Sequence, residues 1–217
     1  MVKFNPKIPE HYRATARFLS KKKDNLKLLE VGAGDRVLKE IIPENIKYYS
    51  ADLSGEQDYK VDLNKERIPV KDKTFDILVC LETLEHVLYP DKIIEELKRV
   101  TKDEGIFILS MPNEYNFWLR LNYLFAIKKK MTDSPFEVVS KLQHIHRPRV
   151  KDIINIFGKH LKIRKVEYVW ISILGKKRIF HPIDKVLNFL AKVYPSLFAR
   201  IVIVVAEKKE QKTSNYA

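Results

Sequence analysis

Apolar-rich runs of five to seven residues alternate along the chain with segments whose apolar positions recur three and four apart. Lys27 to Val31 shows no period-two alternation, and Phe75 to Leu81 is almost wholly apolar. Both read as strands of a buried sheet. Further strands are expected at Ile46 to Ala51, Tyr59 to Val61, Gly105 to Ser110 (closed by Pro112), Lys162 to Trp170 and Ala199 to Glu207. Helical spacing appears at Pro9 to Ser20, with Tyr12, Ala16 and Leu19 on one side, and at Asp91 to Val100, with Ile93, Ile94, Leu97 and Val100 together. A short helix is expected from Asp35 to Ile42, stopped by Pro43. Others are expected at Arg149 to Lys159 and Ile183 to Val193. The order predicts an α/β fold: a Rossmann-like, doubly wound, mostly parallel seven-stranded sheet with helices on both faces.

One stretch interrupts this order. Asn113 to Arg147 is aromatic and basic, with a helix expected around Asn116 to Lys128. A long excursion after the fifth strand reads as a lid or acceptor-binding insertion. Residues 1–207 are read as a single domain and 208–217 as a disordered tail.

The candidate chemistry gathers where these strands end. Leu28-Leu29-Glu30-Val31-Gly32-Ala33-Gly34 carries a strand into a Gly-x-Gly turn, where the chain bends sharply and can approach a ligand closely. A helix after such a turn would aim free N–H groups at that ligand. Asp52 ends the second strand, 18 positions after Gly34. A carboxylate there can accept from both ribose hydroxyls. Asp62 ends the third strand and can accept from an adenine amine; Leu81-Glu82 ends the fourth. Glu30 is placed to anchor the turn by accepting its N–H groups. Each residue alone has a plainer reading as a turn cap or a solvated acid, but together they mark one sheet edge. A dinucleotide fingerprint wants a third glycine where Val37 stands, which disfavours a nicotinamide or flavin dinucleotide. An acidic lining suits S-adenosylmethionine, which has a ribose, an adenine and a cationic sulfonium but no phosphate.

Leu28 to Gly34, Asp52-Leu53, Val61-Asp62-Leu63 and Ile68 to Asp76 together resemble class I S-adenosylmethionine-dependent methyltransferases. Leu81-Glu82-Thr83-Leu84-Glu85-His86-Val87, followed by Gly105 to Asn113, is similar to the branch that often acts on small molecules, quinone precursors, lipids or glycans. The likeness spans Lys27 to Asn113 and extends weakly to His144-Ile145-His146-Arg147 and the last strand. One departure is Arg36, where a further glycine is common. The resemblance implies that Glu30, Gly32 and Gly34 line the methionine part, Asp52 with Leu53 the ribose, and Asp62 with backbone of Leu63 the adenine. Leu81 and Glu82 would flank the methionine through their main chain. Tyr12 and Arg13 would close over the cofactor.

Where an acceptor proton must leave early, His86 and His146 are the candidate bases. His86 also reads as a helix-start residue packed against Glu85 or the backbone. His144 and His146 share one face of an extended segment, with no nearby carboxylate in the sequence to complete a metal site, so no metal is expected. Cys80 is the single cysteine, which excludes an internal disulfide and a cysteine-built zinc site. The formal charge of +13 draws anions, spread over Lys21 to Lys23, Lys128 to Lys130 and Lys176 to Arg178. With Tyr115, Phe117, Trp118, Tyr123 and Phe125 it favours an anionic or amphiphilic small-molecule, lipid or glycan acceptor. The same features keep a nucleic-acid methyltransferase as the alternative. Against that reading, no Asn/Asp-Pro-Pro-aromatic motif or Pro-Cys nucleophile follows the fourth strand. A cofactor-binding module without catalysis is the other alternative. No signal-like or bilayer-length apolar run occurs, so a cytoplasmic protein is expected, with peripheral membrane contact through Ile183 to Leu197 as a further option.

Overall fold

A computed structural model describes residues 8–22, 25–125, 144–170 and 181–209. In chain order the elements are α1 (Glu10–Leu19), β1 (Leu26–Val31), β2 (Ile46–Asp52), β3 (Tyr59–Lys60), β4 (Phe75–Leu81), α2 (Pro90–Val100), β5 (Thr101–Pro112), α3 (Phe117–Leu124), α4 (Val150–His160), β6 (Leu161–Val169), α5 (His181–Val193), α6 (Pro195–Phe198) and β7 (Ile201–Lys208). The seven strands form one sheet in the order β3-β2-β1-β4-β5-β7-β6. Pairing is parallel from β3 through β5. Only β7 runs against its neighbours, β5 and β6. The expected mostly parallel, doubly wound sheet is present.

Lack of alternation within the strands has the anticipated cause, burial on both faces. Leu29, Val31, Leu78, Cys80, Phe107 and Leu109 point to a layer made by Ile93, Ile94 and Leu97 of α2 and Ile153 and Phe157 of α4. Leu28, Ile77, Val79, Leu81 and Ile108 point the other way, onto Ala14 and Leu19 of α1 and onto Leu38. A smaller cluster joins Trp170 at the end of β6 to Ala191 of α5 and Ala199.

The helix expected from Asp35 to Ile42 is absent; one 3-10 turn, Val37–Glu40, stands in its place. Arg36 adopts φ 54°, outside helical space. Pro43 follows so soon that fewer than two α-turns fit between them, too few for a cooperative helix. Leu38 is still buried beneath α1, so the packing purpose of the segment survives. Strand β5 begins at Thr101, directly after α2 and earlier than expected. Asn116 caps α3 by accepting from Leu119 N. The rest of the helix expected as far as Lys128, the basic runs Lys128 to Lys130 and Lys176 to Arg178, and residues 210–217 of the tail lie outside the described residues. Among the described residues no helix is long and apolar enough to cross a membrane.

From β1 the chain steps outward to β2 and β3, then crosses back to β4 on the other side of β1. This reversal of direction between β1 and β4 creates the crevice at the strands' carboxyl ends where open α/β sheets bind ligands.

Candidate functional site

Gly32 and Gly34 both take left-handed backbone angles, φ 74° and φ 47°. They are glycines for different reasons. Gly32 N donates to Ala51 O at 2.8 Å, tying the turn to the end of β2. A Cβ on Gly32 would meet Thr83 Oγ1 at 2.0 Å, because Thr83 wedges between the ends of β1 and β4. Thr83 is held there by donating to Leu81 O at 3.0 Å. A Cβ on Gly34 would meet nothing within 4 Å. Space beside Gly34 is therefore open, and a side chain there would fill it.

Asp52 belongs to this turn. Its Oδ2 accepts from Gly34 N at 2.9 Å and its Oδ1 from Ser54 N at 3.2 Å. Gly34 O accepts from Gln57 Nε2 at 2.9 Å. The donors of the turn thus go to the end of β2, Gly32 N to Ala51 O and Gly34 N to the Asp52 carboxylate, rather than to a helix or to Glu30. Asp62 lies on the same edge, since Val61 N donates to Asp52 O at 2.9 Å. Its carboxylate caps its own turn, accepting from Asn64 N at 3.0 Å and pairing with Lys65 Nζ at 3.0 Å. Lys65 first, then the Asn64 N–H, hold its pKa below the ordinary value. Leu53 is exposed at the rim, and Leu63 is half-buried against the core.

Glu30 does not anchor the glycine turn as expected. Buried to 1% exposure, it accepts instead from the Tyr48 hydroxyl, 2.5 Å from Oε2. Parallel register pairs Glu30 with Ser50, and side chains two apart share a face, so Tyr48 reaches it across the β1–β2 ladder. Its Oε1 has no hydrogen-bond partner among the described residues. Burial pushes this carboxyl up to about 7, with the Tyr48 bond opposing the shift and Asp52 adding to it. Tyr12 of α1 faces the same space: burial, then the charges of Glu30, Glu82, Asp35 and Asp52, push its phenol upward. The structure therefore gathers Tyr12, Glu30, Gly32, Gly34 and Asp52 about one crevice.

Leu81 is core. Glu82, the residue after it, stands at φ 50°, a costly conformation for a side chain with a Cβ. Ser110 at the end of β5 holds it there, donating its hydroxyl to Glu82 Oε1 at 2.9 Å and accepting Glu82 N through its carbonyl at 3.2 Å. Burial, then the charge of Glu114, raise the Glu82 carboxyl; Ser110 and Arg200 oppose the shift. Arg200, half-buried, answers the charges of Glu114 and Glu82.

The histidines assemble differently from expectation. Glu114, itself 1% exposed, places Oε1 at 2.8 Å from His144 Nδ1. The sequence-based expectation that no carboxylate neighbours His144 is therefore wrong. His86 packs edge-on against His144, ring centroids 4.7 Å apart. Glu85, His86 and His144 each bring one ligand atom within 4.8 Å of the others. His146 turns away: its Nε2 lies 2.9 Å from Val87 O, so that nitrogen donates to backbone and is spent as a base. Both His146 N and Ile145 N donate to Glu85 O, which clamps the returning strap onto the β4 exit.

Sequence reasoning missed Thr83, Glu85, Ser110, Glu114 and Arg200. Glu85 carried a signal, an acid between Leu84 and His86 directly after the apolar fourth strand; the rest become visible only through strand pairing. Beyond β5, Tyr115, Phe117, Trp118, Tyr123, Leu124 and Phe125 are exposed. Phe117 stacks on Phe198 of α6, with centroids 5.9 Å apart.

A family model described as a methyltransferase domain matches residues 6–160. An uncharacterised protein of Methanocaldococcus jannaschii is 33% identical, over 64% of this chain and 73% of its own length. Among solved structures, a SAM-dependent methyltransferase from Aquifex aeolicus superposes with a TM-score of 0.54 at 18% identity, covering 94% of each chain. Another from Archaeoglobus fulgidus gives 0.58 at 14% identity, covering 91% of this chain and 92% of the other. At these identities the two structures are likenesses of fold.

Proposed function

The chain belongs to the methyltransferase-domain family that it matches over residues 6–160, and on that premise we propose that it transfers a methyl group from S-adenosylmethionine to a small-molecule, lipid or glycan acceptor of amphiphilic character. When bound, the cofactor supplies an electrophilic methyl group carried on a sulfonium. The residues about the glycine turn fit such a group. Gly34 leaves open space beside the backbone, Glu30 Oε1 is a buried acceptor lacking a partner among the described residues, and Tyr12 sits among four carboxylates. Asp52 would meet the ribose from the position in which it already braces Gly34. Glu30 and the main chain of Glu82 would meet the methionine end. These groups would bind and orient the cofactor, and positioning together with exclusion of water accounts for most of the acceleration such a transfer needs.

The observation that carries the acceptor reading is the exposed apolar surface beyond β5. Phe117, Trp118, Tyr123, Leu124 and Phe125 follow within 13 residues of Pro112, and all stand more than a third exposed. Apolar side chains concentrated beside a candidate crevice suit an acceptor with an apolar part. Incubation with methyl-labelled cofactor and fractionated extract tests this reading. Label in organic-soluble or small-molecule fractions is expected. Label confined to nucleic acid, with steeply salt-dependent binding, would replace this reading with the nucleic-acid alternative. Tight cofactor binding with no transfer to any fraction would leave a binding module.

A further inference from the structure

Glu85 is the side chain whose surroundings the transfer reaction leaves unexplained. It has no solvent exposure, and neither carboxylate oxygen has a hydrogen-bond partner among the described residues. The Nε2 of His86 lies 3.9 Å from Oε1, beyond hydrogen-bond distance. A carboxylate held out of water in this way is strongly disfavoured unless it is protonated or paired with a cation. Its neighbours Glu82 and Glu114 are acidic too, and the half-buried Arg200 is set against that pair.

His144 is arranged as a metal ligand would be. Its Nδ1 is committed to Glu114 at 2.8 Å, which fixes the ring and leaves Nε2 for the cluster. A histidine oriented by a buried carboxylate on its other nitrogen is the usual outer support of a metal site. Backbone geometry adds to this. Glu85 O accepts both Ile145 N and His146 N, so the strap bearing His144 is pinned to the turn bearing Glu85 and His86.

We propose that Glu85, His86 and His144 bind a divalent transition-metal ion of the zinc class, with Glu114 as the residue that positions His144. Two imidazoles and one carboxylate are a borderline donor set, matched to such ions rather than to magnesium or calcium. Ligand atoms within 4.8 Å of one another need only a small closure to stand about 2.0–2.2 Å from a central ion. Three protein ligands leave a coordination position for water or an acceptor oxygen. The ion also supplies the charge that Glu85 lacks. None of these three residues is among those placed about the cofactor, Glu30, Gly34 and Asp52, and binding of metal does not depend on which acceptor is used.

The test uses the full chain, stripped with chelator and dialysed. Zinc is titrated calorimetrically, and cobalt is followed by its visible d–d bands. One equivalent of ion is expected. Glu85→Gln and His144→Ala should each weaken binding at least about tenfold, and Glu114→Gln should weaken it by about ten- to a hundredfold. Cooperative thermal unfolding of each variant checks its fold, and if one fails to fold the other decides. His160→Ala is the control, because His160 contacts Asp91 and Glu95 elsewhere on the surface at 2.7 and 2.6 Å. Binding unaltered by both Glu85→Gln and His144→Ala, or lost in His160→Ala, would overturn the proposal. So would the absence of stoichiometric binding in the unaltered chain, which would leave Glu85 a neutral buried acid.

Discussion

Asp52 Oδ2 accepts the backbone N–H of Gly34 at 2.9 Å, so the acid at the end of β2 also shapes the turn at the end of β1. One side chain both sets the glycine loop and stands ready for the ribose. Removing it should therefore weaken the cofactor twice over, through a lost acceptor and through a loosened turn. Hydrogen bonds to a charged group contribute about 1.5–3 kcal/mol. Asp52→Ala should lower affinity for S-adenosylmethionine and its demethylated product by about ten- to a hundredfold. Calorimetric titration reads this directly; unchanged affinity would remove Asp52 from the site.

The two glycines of the turn should separate folding from binding. Gly32→Ala drives a Cβ to 2.0 Å from Thr83 Oγ1 at φ 74°, so strain and overpacking add. A loss of about 2–5 kcal/mol of stability is expected. Gly34→Ala bears only the backbone penalty, about 1–2 kcal/mol, because its Cβ meets no protein atom. It should remain folded yet bind cofactor poorly, since the methyl group enters the open space. Denaturant melts and product titrations on both variants compare the two; similar stability losses would show that the Thr83 contact is not decisive.

Glu30 gives a pH signature. Its folded carboxyl titrates near 7, against an ordinary value of 4.5, because burial penalises the charged form. Between those values the unfolded chain gives up the proton while the folded chain keeps it, so stability falls as pH rises. The contribution is complete below 4.5 and gone above about 7, a span on the order of 3 kcal/mol. Glu30→Gln should flatten this part of the stability profile. Tyr48→Phe should extend the decline to higher pH, because the Tyr48 bond favours the ionised form. Chemical denaturation from pH 4 to 8 checks both; an unchanged slope in Glu30→Gln would assign the dependence elsewhere.

These three cases show what was legible in the sequence. Strands such as Leu26–Val31 and Phe75–Leu81 announce themselves because burial on both faces removes polar residues from both. Gly32, Gly34, Asp52 and Asp62 were legible because each sits at a strand end, where chain order alone implies a shared edge. Partners across the sheet were not. Tyr48 meets Glu30, Thr83 meets Gly32 and Glu114 meets His144 through register and crossover, over separations of 18, 51 and 30 residues. The missing helix after the glycine turn had a local cause, Arg36 at φ 54°, which nothing in its side chain declares.

Trp118 and Tyr115 test the acceptor side alone. Both are about 40% exposed, and neither lies among the residues gathered about Glu30, Gly34 and Asp52. Substitution of such surface residues usually changes stability by no more than about 0.5 kcal/mol. Trp118→Ala and Tyr115→Ala should leave the affinity for the demethylated cofactor unaltered. If the exposed apolar surface beyond β5 receives the acceptor, the same variants should raise the KM for an amphiphilic acceptor. The loss scales with the apolar area removed, at about 25 cal/mol per Å², so Trp118→Ala should weaken acceptor use more than Tyr115→Ala. Phe198→Ala supplies the contrast, since it removes the ring that stacks on Phe117 without touching Trp118. If acceptor and cofactor affinity fall together in the Trp118 variant, α3 supports the fold of the crevice and the acceptor enters elsewhere.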